Sequence, residues 1–341
     1  MAEYSLSEPA LVCALGADRA EIERNLALGV APGMKPLENL SGGDRTVFGF
    51  APLGAAQAAA SPTRVGALID AAMAQLDLDA LYREIPHDHV AAVVGTSNST
   101  MEEFTDNPDR IDMAYPAERL KEKWGVGGPA WSVSTACSSS GKVFASARNL
   151  LESGFAEAVI VGGADAYTRT VVEGFHALEA LSPTLTRPLS PFRDGINLGE
   201  GAAFFILRRA QSGAPGLRLL GVGESSDAYH LTAPDPSGRG AEAAMRAALA
   251  EARLKPEDIS FVNLHGTGTV YNDAMESAAV ERVFGKNLCR FSTKPLTGHC
   301  LGAAGAVEAA LCALALRTRS GRCLSNSFAF GGSNVSVILA K

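Results

Sequence analysis

Residues 131–151, WSVSTACSSSGKVFASARNLL, and residues 290–316, RFSTKPLTGHCLGAAGAVEAALCALAL, follow one plan. Each reads as a short strand, a loop of small residues carrying a reactive side chain, and a helical pattern. In the first copy Val143, Phe144, Ala147, Leu150 and Leu151 fall on one helical face, and Gly154 supplies the C-terminal stop. Two further pairs keep the same order along the chain. The apolar run Val90 to Val94 leads into Gly95-Thr96-Ser97, just as residues 259–264 lead into His265-Gly266-Thr267-Gly268-Thr269. Residues 158–166, AVIVGGADA, pair with residues 327–339, SFAFGGSNVSVIL, around a Gly-Gly step.

Strands alternating with helices predict mostly parallel sheets covered by helices, and unbroken apolar strands such as AVIVGG predict burial on both faces. The expected fold is therefore an α/β sandwich of five layers, αβαβα, built from two duplicated halves at 1–209 and 210–341. The crossover is expected in RRAQSGAPG, residues 208–216. The halves should form one fused core, because the reactive residues come from both.

At 341 residues the chain could form one large domain or two ordinary ones, so length leaves the count open. A composition of 47% hydrophobic and 20% charged residues suits a soluble globule and excludes disorder. A formal charge of −7 argues against general affinity for nucleic acid or anionic membrane. No leader pattern and no run of about 18 uncharged apolar residues is found, which makes a cytoplasmic location the expectation. The six cysteines lack CxxC pairs, so neither a zinc cage nor a disulfide framework is indicated, and all but Cys137 are expected as small core residues.

The duplication brings loops at equivalent strand ends to a common centre, and those loops carry Cys137, His265, His299 and the glycines near 331. Cys137 lies between a strand and a helix starting near Ser138, where exposed N–H groups and the helix dipole favour thiolate. A cysteine at a helix start is weak evidence alone; two histidines at symmetric loop positions strengthen it. The segment Arg193 to Gly201 lacks phosphate-loop spacing and reads as a loop over the site, with Gly199 and Gly201 making a close turn. No nucleotide or metal cofactor is indicated.

These motifs, STACSSSG, VGGADA, RPLSPFRDGINLGEGAA, NLHGTGTVYNDAMES, STKPLTGHCLGAAGAVE and LSNSFAFGGSN, resemble those of the β-ketoacyl-acyl carrier protein synthases of the elongating, Cys-His-His kind, within the thiolase-like superfamily. The resemblance covers nearly the whole chain. It implies a thiolase-like fold and decarboxylative Claisen condensation in fatty acid, polyketide or aryl polyene biosynthesis, with malonyl and acyl groups delivered as thioesters. It makes Cys137 the acyl-accepting nucleophile and His265 and His299 the decarboxylation pair, with Lys294 and Glu308 supporting them. Thr267 and Thr269 would line the pantetheine channel, and Phe330 would be a gate, flanked by Phe328 and Gly331. Asp273 and Glu276 are assigned structural roles. Phosphopantetheine arrives on the carrier protein, so no resident cofactor is implied. The implied partners are an acyl carrier protein and a second subunit, in a homodimer or in a heterodimer with a related ketosynthase. Arg119, Lys121 and Lys123 are candidate carrier contacts.

The chemistry agrees with those roles. Loss of CO2 from a malonyl thioester leaves an enolate that two neutral imidazoles could stabilise, each donating one N–H. A second oxyanion hole is expected from the N–H groups of Cys137 and Phe330. The chain also departs from its relatives. The interval from Ser97 to Trp131 holds about 34 residues, fewer than usual, and Arg317 to Leu324 is short. Ala329 replaces a glycine, which should restrict gate motion, and Ile196 stands where an aromatic is common. This compact pattern is similar to ketosynthases of specialised polyene-type pathways, including aryl polyene clusters. Two rivals remain. A chain-length-determining partner subunit would usually have lost the cysteine, and a thiol hydrolase would leave the second histidine without a task.

Overall fold

The computed structural model of the chain describes residues 3–101, 111–210 and 215–341. Its strands are β1 (Glu3–Leu6), β2 (Ala10–Val12), β3 (Met34–Leu37), β4 (Thr46–Gly49), β5 (Val90–Gly95), β6 (Ala130–Val133), β7 (Ala158–Asp165), β8 (Leu198–Gly199), β9 (Gly201–Ala210), β10 (Leu217–Ser226), β11 (Phe261–Asn263), β12 (Cys289–Phe291), β13 (Arg322–Phe328) and β14 (Ser333–Ala340). Its helices are α1 (Arg19–Leu28), α2 (Ala55–Ala59), α3 (Arg64–Met73), α4 (Leu78–Glu84), α5 (Tyr115–Trp124), α6 (Ser139–Glu152), α7 (Arg169–Ala177), α8 (Arg239–Ala252), α9 (Val270–Phe284), α10 (Lys294–Thr297) and α11 (Ala304–Thr318).

The two halves have the same strand plan. In the front half β5 lies between β6 and β7, parallel to both, and β7 pairs antiparallel with β9. In the back half β11 lies between β12 and β13, parallel to both, and β13 pairs antiparallel with β14. Strand β1 joins the two sheets by pairing antiparallel with β9 on one side and β10 on the other. A three-stranded sheet of β3, β4 and β8 sits apart. The expected boundary at 209/210 falls at the end of β9, and the expected crossover lies partly outside the described residues.

Packing makes five layers. Helices α6 and α11 touch each other and strands of both sheets, forming the middle layer, while α3 and α5 cover the front sheet and α8 and α9 the back. The middle layer is the largest core, with Val143, Phe144 and Ala147 of α6 against Ala306, Val307 and Leu311 of α11. All five residues expected on the inner face of α6 are buried. The apolar stretch Leu301–Thr318 has the length and composition to cross a membrane, but 83% of it is buried in this layer.

One of the three internal pairings is out of register. Gly162 and Gly163 lie inside β7, whereas Gly331 and Gly332 lie in the turn between β13 and β14. The first pair is required by packing: a Cβ on Gly162 would sit 2.0 Å from the Ala203 carbonyl oxygen, and one on Gly163 2.5 Å from Ser140. The second pair is required by backbone shape, with φ of +80° and +77°. Of the cysteines expected in the core, Cys13, Cys300, Cys312 and Cys323 are buried; Cys289, on β12 at the end of the sheet, is exposed.

Candidate active site

Cys137 sits in the turn from β6 to α6, two residues before the helix begins. The turn is pinned by the Ser139 hydroxyl, which accepts from the Thr135 N–H at 2.9 Å and donates to the Ala136 carbonyl at 2.6 Å. It forces Ala136 to φ +52°, a conformation alanine rarely adopts. The backbone N–H groups of Phe330 and of Cys137 itself, the pair expected for an oxyanion hole, both favour the thiolate. The expectation of a favoured thiolate does not hold in the ligand-free pocket. Burial pushes the thiol up to about 11, and the Lys294 charge and the Phe330 N–H only partly offset it.

His265 follows β11, and its backbone is held by Glu276 of α9. One carboxylate oxygen accepts from the His265 N–H and the other from the Gly266 N–H, both at 2.8 Å. Asn326 of β13 donates to the same carboxylate at 3.1 Å. Burial pushes Glu276 up to about 7. Asp273 accepts from the N–H of Leu189 at 2.7 Å and of Gly268 at 3.2 Å, which ties the loop after β11 to the 187–195 segment. Both acids therefore hold backbone, as expected.

His299 follows α10. Its N–H donates to the Asn197 carbonyl at 2.7 Å, and its own carbonyl accepts from Gly199 at 3.0 Å. The close turn expected of Gly199 and Gly201 is corrected here. Gly199 belongs to β8 and Gly201 opens β9, and a Cβ on Gly199 would meet the Thr297 carbonyl oxygen at 2.2 Å. Close backbone approach, which carries the loop against His299, is what Gly199 supplies.

The three reactive side chains meet. The Cys137 sulfur and one nitrogen from each histidine lie within 4.8 Å of one another, and the imidazole rings are 5.1 Å apart and nearly perpendicular. Burial, followed by the Lys294 charge, holds both histidines well below their ordinary range, so they are neutral. Among the described residues neither ring nitrogen of His299 has a hydrogen-bond partner, although the residue is only 1% exposed. Lys294, fully buried, bonds Glu308 of α11 at 2.5 Å and approaches Nδ1 of His265 at 3.5 Å. An ammonium has no lone pair, so Nδ1 must be the acceptor and the ring proton sits on Nε2.

A cavity of about 400 Å³ opens onto this cluster. Thr267, Thr269, Phe328 and Phe330 line it, and so does Ile196; Gly331 shapes the turn without lining the cavity. Ala329 has φ −103°, so alanine is unstrained in this gate conformation, and the positive angles fall on Gly331 and Gly332. Sequence reasoning missed Phe175, whose ring stacks on Phe330 at 5.6 Å. It also missed Asp227, which accepts from Asn334 at 2.7 Å on the cavity wall. Neither carries a distinguishing motif. Two of the three candidate carrier contacts are committed elsewhere: Arg119 and Lys123 bond Asp70 at 2.6 and 2.7 Å, and none of the three lines the cavity.

A buried thiol and two neutral imidazoles thus face one another on a duplicated α/β sandwich. The β-ketoacyl synthase N-terminal domain profile matches residues 29–212 and the C-terminal domain profile residues 218–321, and the chain belongs to this family. Nodulation protein E of Rhizobium leguminosarum bv. trifolii is 39% identical over 246 residues, 62% of this chain and 61% of the relative. The 3-oxoacyl-[acyl-carrier-protein] synthase 2 of Staphylococcus aureus (strain COL) is 34% identical over 259 residues, 64% of this chain and 63% of the relative. The matched region thus spans under two thirds of the length of these curated relatives. Among solved structures, a chain of the complex between the ketosynthase ApeO and its chain length factor ApeC from Xenorhabdus doucetiae is 36% identical, with a TM-score of 0.91 over 99% of this chain and 98% of that one.

Proposed function

We propose that this chain is a condensing acyltransferase that joins an acyl group held on Cys137 to malonyl-acyl carrier protein. The observation that carries the proposal is the convergence of one sulfur and two neutral, buried imidazoles within 4.8 Å at the end of a single cavity. In the first half-reaction the Cys137 sulfur attacks the thioester carbonyl, the Phe330 and Cys137 N–H groups stabilise the oxyanion, and the carrier thiol leaves with a proton. In the second, C–C cleavage of the malonyl group releases CO2, and Nε2–H of His265 and an N–H of His299 donate to the enolate oxygen. The enolate carbon attacks the acyl carbonyl on Cys137, forming the C–C bond. The Cys137 thiolate then leaves and regains its proton.

Lys294 fixes the His265 tautomer that this step needs, and Glu308 compensates its charge. Thr267 and Thr269, 2.9 Å apart at the cavity wall, suit the amides of a pantetheine arm. The carrier protein would supply that arm, so no resident cofactor is needed. A second ketosynthase-like subunit is proposed as partner. The match to a ketosynthase–chain length factor complex, together with the compact sequence, favours a heterodimer in a polyene-type pathway in the cytoplasm.

The test is incubation with acyl carrier protein loaded with a panel of acyl groups, intact-mass detection of the adduct, and then addition of malonyl carrier with measurement of CO2. Adduct formation should vanish in Cys137→Ala. In His299→Ala the adduct should persist while condensation falls by about 10²–10³. Normal elongation by His299→Ala would overturn the assignment.

A further inference from the structure

We infer that Lys294 keeps the Cys137–His265–His299 cluster from acting as a soft-metal site, so that removing this one charge turns the cluster into a chelate for Zn²⁺ or Co²⁺. One thiol, which gives up its proton on coordination, and two imidazoles form a donor set that zinc accepts, with a fourth position left to water or substrate. The ligand atoms already lie within 4.8 Å of one another, and tetrahedral binding needs them to close by about 1 Å. Both nitrogens of His299 are buried and have no hydrogen-bond partner among the described residues.

Lys294 opposes this in two ways. Its ammonium donates to Nδ1 of His265, which leaves the proton on Nε2; with Nδ1 taken, Nε2 is the nitrogen a metal would have to use. Its positive charge also lies one imidazole ring from the position an incoming dication would occupy. Glu308 keeps that charge in place at 2.5 Å from Nζ. The same lysine that prepares His265 to donate a hydrogen bond therefore stops it from donating a lone pair. This inference rests on the placement of the four side chains and does not require the condensing activity.

The experiment is titration of the ligand-free protein with Co²⁺, in a Cys289→Ser background that removes the exposed thiol. Lys294→Met combined with Glu308→Gln, which leaves no unpaired charge, should bind one Co²⁺ about 100-fold more tightly than the parent. Binding should bring a thiolate-to-cobalt charge-transfer band that disappears when Cys137→Ser is added. Binding with equal affinity in parent and double variant, absence of the band, or its survival in Cys137→Ser would each overturn the inference. If the double variant does not fold, Lys294→Gln, which keeps a hydrogen-bond donor for Glu308, is read against the same outcomes. No thioester is present, so the result is independent of whether the protein condenses acyl groups.

Discussion

At Cys137 two local fields compete, and burial wins. The helix start and the Lys294 charge favour thiolate, but removal from water pushes the thiol to about 11. The thiolate fraction should therefore climb about tenfold per pH unit across the neutral range. Alkylation of Cys137 by a small neutral reagent should follow that slope from about pH 6 to about pH 9, and a plateau near neutrality would contradict it. The cysteine and both histidines were legible in the sequence because each lies among small residues beyond a short strand: Cys137 after β6, His265 after β11, and His299 after β12 and the single turn of α10. The sign of the thiol shift was not, since the sequence displays the helix start but not how completely the pocket is closed. Phe175 and Asp227 were illegible for a related reason: each is defined by a partner more than a hundred positions away, Phe330 and Asn334.

The elements are locked by a glycine crossing in the middle layer. A Cβ on Gly305 of α11 would lie 2.6 Å from the backbone nitrogen of Gly141 in α6, so neither helix can yield by rotating a side chain. Gly305→Ala should cost about 1–3 kcal/mol, measured as a lower urea midpoint. Gly174→Ala, on the exposed side of α7 with nothing within 4 Å of the added carbon, should be neutral or slightly stabilising. Equal midpoints for the two variants would contradict the crossing. Glu276, which binds α9 to the loop after β11, has its carboxyl raised from 4.5 to about 7, so the folded state holds the proton more tightly than the unfolded chain. Its contribution is full below about pH 4.5 and fades as pH rises through 7, so the thermal midpoint should fall from about pH 5 to about pH 8. Glu276→Gln should flatten that fall, and an unchanged slope would contradict the assignment. Strand identity and helix faces were readable from apolar runs and spacing. The register of the Gly-Gly pairing was not, because Gly162 answers to packing and Gly331 to a turn.

Across the whole molecule, α6 and α11 form a layer that belongs to both halves, and β1 pairs with a strand from each. Residues 1–209 produced alone would expose the face of Phe144 and Val143 that α11 covers. That fragment should aggregate or bind a hydrophobic dye, whereas a monomeric fragment with a cooperative transition would contradict a single fused core. The same fusion places the sulfur from the front half opposite two imidazoles from the back. The most direct measurement of what they do together is a single turnover of acyl-Cys137 enzyme with malonyl-carrier labelled at carbons 1 and 2. The account predicts a β-ketoacyl carrier product containing both labelled carbons, with unlabelled CO2 released from carbon 3. Release of the Cys137 acyl group as a free acid, with the malonyl carrier unchanged, would contradict it.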